Sequence, residues 1–337
     1  MVFIFCTVSD FHSSSPLVLT TCVIGGAGFI GRAVVDELLT QGRRVLVVGR
    51  GTDPATLPAG VDYLENPPND GGAALQAALT RVDEVVDLAY ATVPQTSYQD
   101  PVNDILVNLP EAVRLFEMAS ALPIRKFVWV SSGGTVYGRT TAASIDESHP
   151  TQPLSPYGIT KLAIEKYAHM YFESRGLPIV CVRPSNAFGE SQRPYIGQGF
   201  IATAIASVLD ERELTLFGAQ GTVRDYLHVR DVASGIVAAL VHGRPGEIYN
   251  IGSGQGLSNR QVLDALAPLA TAAGHEVRVV VQPSRPFDVP RNVLDYTKLH
   301  NDTGWYPSMS FPEALQRTWA WYLSKHQHSA FSAQAKS

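Results

Sequence analysis

The chain has 337 residues, 45% hydrophobic and 17% charged, enough apolar material for one large core or two modest ones and too much for a mainly disordered chain. Its net charge is −5 and its isoelectric point about 6.0; with no Lys/Arg cluster to neutralise a phosphate backbone, nucleic acid is not an expected partner. Three scattered cysteines, Cys6, Cys22 and Cys181, make neither a disulfide framework nor a zinc site and fit a reducing cytoplasm, and no run reaches the ~18–20 apolar residues of a membrane span.

Residues 1–16 lack the basic start of a signal peptide and read as a disordered extension. From Leu17 onward, strand-length apolar runs alternate with helical periods, the pattern of a parallel sheet covered on both faces, so the fold class is doubly wound α/β. Strands are expected at 17–24, 45–48, 61–64, 84–88, 126–131, 178–182 and 247–251. Helices are expected at 29–40, 103–109, 110–120, 157–174 and 231–242. After Arg183, the crowding of Pro184, Gly189, Pro194, Gly197 and Gly199 breaks the rhythm and marks a second, smaller lobe. The expected division is 17–183 with 229–251 returning to it, a second lobe of 184–228 and 252–323, and a flexible tail at 324–337.

Gly25-Gly26-Ala27-Gly28-Phe29-Ile30-Gly31 lies between a strand and a helix. In that context glycines allow a tight turn and close approach to a pyrophosphate, while the helix start offers N–H groups and a positive dipole end. A dinucleotide is therefore expected on Gly25, Gly28 and Gly31. The next strand normally ends in an acid that holds the adenosine ribose. Here Gly49 and Arg50 stand instead, so the choice between NAD and NADP stays open, with Arg50 either near a 2′-phosphate or simply facing solvent.

Tyr157 and Lys161 are four residues apart at the start of a helix, on one face of it. The pair follows the 126–131 strand and the turn at 131–138, near the sheet edge where α/β folds bind ligands. A free phenol is a poor base at pH 7, but a neighbouring cation lowers its pKa toward working pH, where it can take a proton from a hydroxyl.

Together, the segment 25–31, Asp87-Leu88-Ala89, the turn 131–138, Ser155-Pro156-Tyr157-Gly158-Ile159-Thr160-Lys161, Arg183-Pro184-Ser185-Asn186-Ala187-Phe188-Gly189 and Arg224-Asp225-Tyr226 resemble the extended short-chain dehydrogenase/reductase family. Within it, the match is to the nucleotide-sugar epimerase and dehydratase branch. The resemblance implies a Rossmann-type sheet with an interleaved substrate lobe and a bound NAD contacted by Gly25, Gly28, Phe29, Ile30, Gly31, Leu88 and Ala89. It makes Tyr157 the catalytic base and Lys161 its partner at the nicotinamide ribose. Asn108 resembles the family's active-site asparagine. Asn186, Arg224 and Arg285 match positions that hold a diphosphate, Phe217 the strand that pairs with uracil, and Asp288 a carboxylate near the ribose. Read without the family, the lesser alternative for Arg224 and Asp225 is a surface ion pair. The resemblance also implies a homodimer through helices 110–120 and 157–174.

Two positions depart from the family. Gly133 replaces a Ser or Thr that partners the reacting hydroxyl, leaving Thr135, favoured over Ser132, or else water, to supply that bond. Ile24 replaces a Thr before the glycines. Asn292 stands where some relatives carry a bulky Tyr, which suggests room for a 2-acetamido sugar. Gly134-Thr135 occupy the place of a dehydratase's Asp-Glu pair, so elimination lacks its acid. The expected activity is a UDP-sugar 4-epimerase; a 4-keto-sugar reductase, supported by Gly49-Arg50, and a non-catalytic NAD(P) sensor are the alternatives.

Overall fold

The computed structural model describes residues 18–66, 72–285 and 289–334, so the expected extension at 1–16 and Asp288 lie outside the described residues. Successive residues of β1 (Thr20–Ile24) face opposite ways, as a pleated strand requires: Val23 joins one apolar core, and Cys22 and Ile24 the other. The chain continues through α1 (Phe29–Thr40), β2 (Arg44–Gly49), β3 (Val61–Glu65), α2 (Ala73–Leu79), β4 (Glu84–Asp87), α3 (Pro94–Gln99) and α4 (Pro101–Ser120). Next come β5 (Lys126–Val130), α5 (Gly133–Val136), α6 (Pro156–Arg175), β6 (Ile179–Pro184), β7 (Asn186–Phe188), α7 (Phe200–Leu209), β8 (Leu214–Phe217) and β9 (Val223–His228). The last part holds α8 (Val229–His242), β10 (Ile248–Ile251), β11 (Gly256–Ser258), α9 (Asn259–Ala272), β12 (Val279–Gln282), β13 (Arg291–Asn292), α10 (Thr297–Thr303) and α11 (Phe311–Gln334).

Seven strands form one parallel sheet in the order β10-β6-β5-β4-β1-β2-β3. The order reverses between β1 and β4, where a doubly wound sheet opens a crevice at its carboxyl edge. One face is covered by α1, α8 and α10 through Val34, Leu38, Ile236 and Leu299, the other by α2, α4 and α6 through Leu79, Phe116 and Ile164. Each such side chain, fully buried, contributes about 1.5–3 kcal/mol, so a charge at Val34 would break this face. Smaller sheets lie outside: β9 pairs with β7, β11 and β13, and β8 with β12. Around them α7, α9 and α11 pack a third core through Ile205, Leu266 and Trp319.

Two expectations about helices are corrected. The segments 103–109 and 110–120 are one helix, α4, with Pro110 inside it. Asp100 caps it by accepting from the Asn103 N–H, and its buried face, Asp104 and Asn108 before the proline and Ala112, Phe116 and Ala119 after it, carries the helix through the lost bond. The tail expected to be flexible from Ser324 is helical to Gln334, because α11 is anchored by buried Trp319 and Tyr322. Among the described residues no helix is long and apolar enough to cross a membrane.

Candidate active site

A cavity of about 1050 Å³ opens over the carboxyl ends of β1, β4, β5 and β6 and extends to β8 and β9. At its β1 end, Gly25 holds a φ of +79° that L side chains rarely adopt. A Cβ on Gly31 would strike the Gly25 carbonyl and the Gly26 backbone, so only glycine lets α1 start this close to the strand. Gly25, Gly28, Phe29, Ile30 and Gly31 line the cavity, and the first N–H groups of α1 have no acceptor within the helix. That cradle fits a pyrophosphate. Leu88 also lines the cavity, and the Ala89 backbone lies against Gly25.

Arg50 is exposed and is not part of the cavity wall. The carboxylate beside it comes from the neighbouring strand: Glu65 accepts the Gly51 N–H at 2.8 Å and the Tyr63 hydroxyl at 2.5 Å. Those two bonds, helped by Arg50, hold the Glu65 carboxyl below its ordinary pKa. Arg50 thus lies near the Glu65 charge and outside the cavity wall.

At the centre, α6 presents Tyr157 and Lys161. Ser155 caps the helix, accepting from the Gly158 N–H at 3.1 Å, and Pro156 opens its first turn. Thr160 donates to Asp104 at 2.6 Å and ties α6 to α4. Tyr157 faces the cavity; its buried setting, with Asp104's charge, pushes its phenol above the ordinary value. Lys161 is 3% exposed and donates to the Val130 carbonyl at 2.8 Å. Burial pulls its pKa down, while Asp87, Glu165 and Asp104 favour the cation. Burial raises the Asp87 carboxyl against a hydrogen bond from the Ala89 N–H and the charge of Lys161.

Ser132 and Thr135 line the same cavity as this pair. Gly133 does not, because a side chain there would meet Leu294 and the Arg183 carbonyl; the packing at this position demands glycine. Asn186, Phe217, Arg224 and Arg285 all line the far end. Arg224 donates to the Val289 carbonyl at 2.8 Å, the Arg285 guanidinium stacks 4.1 Å over the Phe217 ring, and the buried Asn186 Oδ1 has no hydrogen-bond partner among the described residues. Asp225 is fully buried and accepts from Ser253, Gly254 and Leu294, so it forms no surface ion pair with Arg224.

Two expected substrate residues are elsewhere. Asn108 is buried outside the cavity wall: its Oδ1 accepts the Ala91 N–H and its Nδ2 donates to Thr92 and to the Asp104 carbonyl. It braces the loop after β4. Asn292 is 1% exposed and donates to the Gly133 carbonyl at 3.0 Å. It does not border the sugar space, so its small side chain makes no room there for an acetamide. The wall also holds Tyr90, Thr92, Gln192 and Gln198, which sit in irregular loops with no periodic signal, and Gln95, in the first turn of the short helix α3; only Tyr90, directly after Asp87-Leu88-Ala89, was within reach of a motif reading. Among the described residues no Asp or Glu lines the cavity.

Residues 21–252 match the NAD dependent epimerase/dehydratase family. The UDP-glucose 4-epimerase of Mycolicibacterium smegmatis is 32% identical over 316 residues, 92% of this chain and 100% of that protein. The dTDP-glucose 4,6-dehydratase of Streptomyces griseus is 31% identical over 325 residues, 92% of this chain and 94% of that one. The solved UDP-glucose 4-epimerase of Thermus thermophilus in complex with NAD superposes with a TM-score of 0.83 at 33% identity, covering 90% of this chain and 99% of that one. The glycine cradle, the Tyr157–Lys161 pair above the sheet switch point and this agreement along the chain lead to one statement: the protein belongs to the NAD-dependent epimerase/dehydratase family.

Proposed function

We propose that this protein is a UDP-hexose 4-epimerase that works with bound NAD. The observation that carries the choice of reaction is the cavity's acid–base inventory. Tyr157 and Lys161 face it together, and among the described residues no carboxylate does. A 4,6-dehydratase must protonate a leaving hydroxyl and needs a general acid beyond the tyrosine; an epimerase needs one group that takes a proton and gives it back.

The glycine cradle fits NAD, and its residues, with Leu88 and Lys161, are those that would hold it. When bound, NAD supplies reversible acceptance of hydride at a carbinol carbon. The protein's own groups do the rest. Tyr157 takes the proton of the sugar's C4 hydroxyl and later returns it. Lys161 places a positive charge beside that phenol and so offsets the rise that burial imposes. Thr135 and Ser132 orient the hydroxyl. Arg224 and Arg285, from different segments, clamp the diphosphate, and Asn186 offers a further polar contact. Anchoring the nucleotide while the neutral, amide-walled end stays roomy lets the ketone form of the sugar present either face.

We further propose a homodimer through α4 and α6. Val102, Ile105 and Leu106 on α4 are 64%, 46% and 64% exposed, and Ile159, Tyr167 and Met170 extend the apolar surface on α6. The spacing i, i+3, i+4 makes a stripe that one chain leaves uncovered. Light scattering of Leu106→Glu against the unaltered protein tests this, with loss of the dimer mass expected.

The function is tested by incubating purified protein with UDP-glucose, without added cofactor, and analysing the released sugars. A glucose–galactose mixture is expected. Failure to interconvert the two, even after NAD is supplied, overturns the proposal.

A further inference from the structure

Just past the β4 terminus, Tyr90 stands in the cavity wall. Its ring face lies 4.0 Å from Lys161 Nζ, and the Trp129 ring lies 4.4 Å from the same atom. It also meets the Tyr157 ring edge to face, with ring centroids 4.8 Å apart and planes at 68°. Tyr157's own ring is 5.8 Å from the ammonium. The far end of Tyr90 looks toward Thr92 and Thr160, whose hydroxyls both donate to fully buried Asp104.

We propose that Tyr90 is a positioning residue for the Tyr157–Lys161 pair: its ring face, with that of Trp129, clasps the Lys161 ammonium against the Val130 carbonyl, and its edge-to-face contact fixes the ring of Tyr157. The inference rests on reading those two residues as base and partner. An ammonium this buried has lost most of its water, and aromatic faces return part of that attraction, more strongly in a desolvated site than at a surface. The other charged or titratable groups facing Lys161 are Asp87 from the β4 end, Asp104 from α4 and Glu165 from α6. All three favour the cation, against burial. Replacing the ring with an aliphatic side chain of similar bulk keeps water out but removes the aromatic attraction. The positive charge beside Tyr157 then weakens, and the phenolate forms at higher pH.

Two readouts test this. One is the near-ultraviolet tyrosinate titration of each protein minus that of its Tyr157→Phe counterpart, which needs no turnover; the other is the pH profile of kcat. Tyr90→Phe is expected to match the unaltered protein in both. Tyr90→Leu is expected to move the Tyr157 titration and the rise of kcat up by about one pH unit, a tenfold loss of rate below the rise. If Tyr90→Leu does not fold, Tyr90→Met takes its place. An unmoved titration in the aliphatic variant overturns the proposal, and so does a Tyr90→Phe shift as large as the aliphatic one. A fully active Tyr157→Phe protein would instead remove the catalytic reading, leaving the titration to judge Tyr90 separately.

Discussion

Two consecutive turns of α6 bury a charge each, and they treat it differently. Glu165 meets Arg183 in two parallel bonds of 3.0 and 2.6 Å and accepts from Ser131 at 2.5 Å. Arg183 goes on to the Tyr137 hydroxyl at 2.8 Å, which donates to Asn250 at 2.7 Å. Every member of that cluster has its partners, and it locks β5, β6 and α6 together beneath the site. One turn earlier, Lys161 meets a carbonyl and aromatic faces, with the nearest carboxylates at a remove. A saturated network makes scaffold; an unsaturated one keeps a charge available for chemistry.

The contrast is sharpest if each charge is removed in turn. Lys161→Met takes away a buried cation whose desolvation cost and whose attraction to Asp87, Glu165 and Asp104 oppose each other, so stability should change little. The loss should fall on kcat, by about 10²–10⁴, measured in the epimerisation assay alongside urea unfolding. An equal loss of stability and rate would erase the distinction between the two turns.

Glu165→Gln should do the reverse. It leaves Arg183 buried without its counter-charge, which costs about 3–5 kcal/mol, read as a lower urea midpoint with an unchanged slope. At temperatures where the variant is folded, kcat should fall far less than in Lys161→Met, the remaining loss reflecting the support that Glu165 gives the Lys161 ammonium. Ser131→Ala removes one hydrogen bond to the same carboxylate and should cost less, about 1.5–3 kcal/mol. The two substitutions share a partner, so their effects should not add.

The sequence spoke clearly where local geometry and chemistry coincide. The glycine loop, the capped start of α6 and the i,i+4 spacing of Tyr157 and Lys161 each need only a few neighbouring residues, and the cradle and pair stand where those patterns placed them. Asn108 and Asn292 show where that logic stops. A motif position says that an asparagine is near the site, not which way its amide turns. Here the Asn108 amide turns to the Ala91 N–H and the Asp104 carbonyl, and the Asn292 Nδ2 turns to the Gly133 carbonyl. Gly133 looked like a missing hydroxyl, yet the side chain of Leu294, 161 positions away along the chain, fills the space a Cβ would need. Glu65 escaped notice because its role depends on β3 lying beside β2, a pairing no local pattern reveals.

The smallest effect concerns pH and a carboxylate outside α6. Glu190 accepts from His228 at 2.9 Å and from Arg317 of α11, joining the β7 end to the last helix. His228 Nδ1 accepts the Arg230 N–H, which leaves Nε2 as the donor to Glu190. Burial pushes the Glu190 carboxyl up, but the bonds from His228 and Arg317 outweigh it and bring it from 4.5 down to about 2. Because the folded pKa lies below the unfolded one, the stabilisation is complete above pH 4.5 and leaves as pH falls through 2. Solvent reaches this pair, so the gap in melting temperature between the unaltered protein and Glu190→Gln should be only about 1–3 °C near neutrality. It should close steadily on acidification across that window. A gap that persisted at the acid end would assign the clasp to packing, and Glu190 would then belong with neither the saturated nor the available charges.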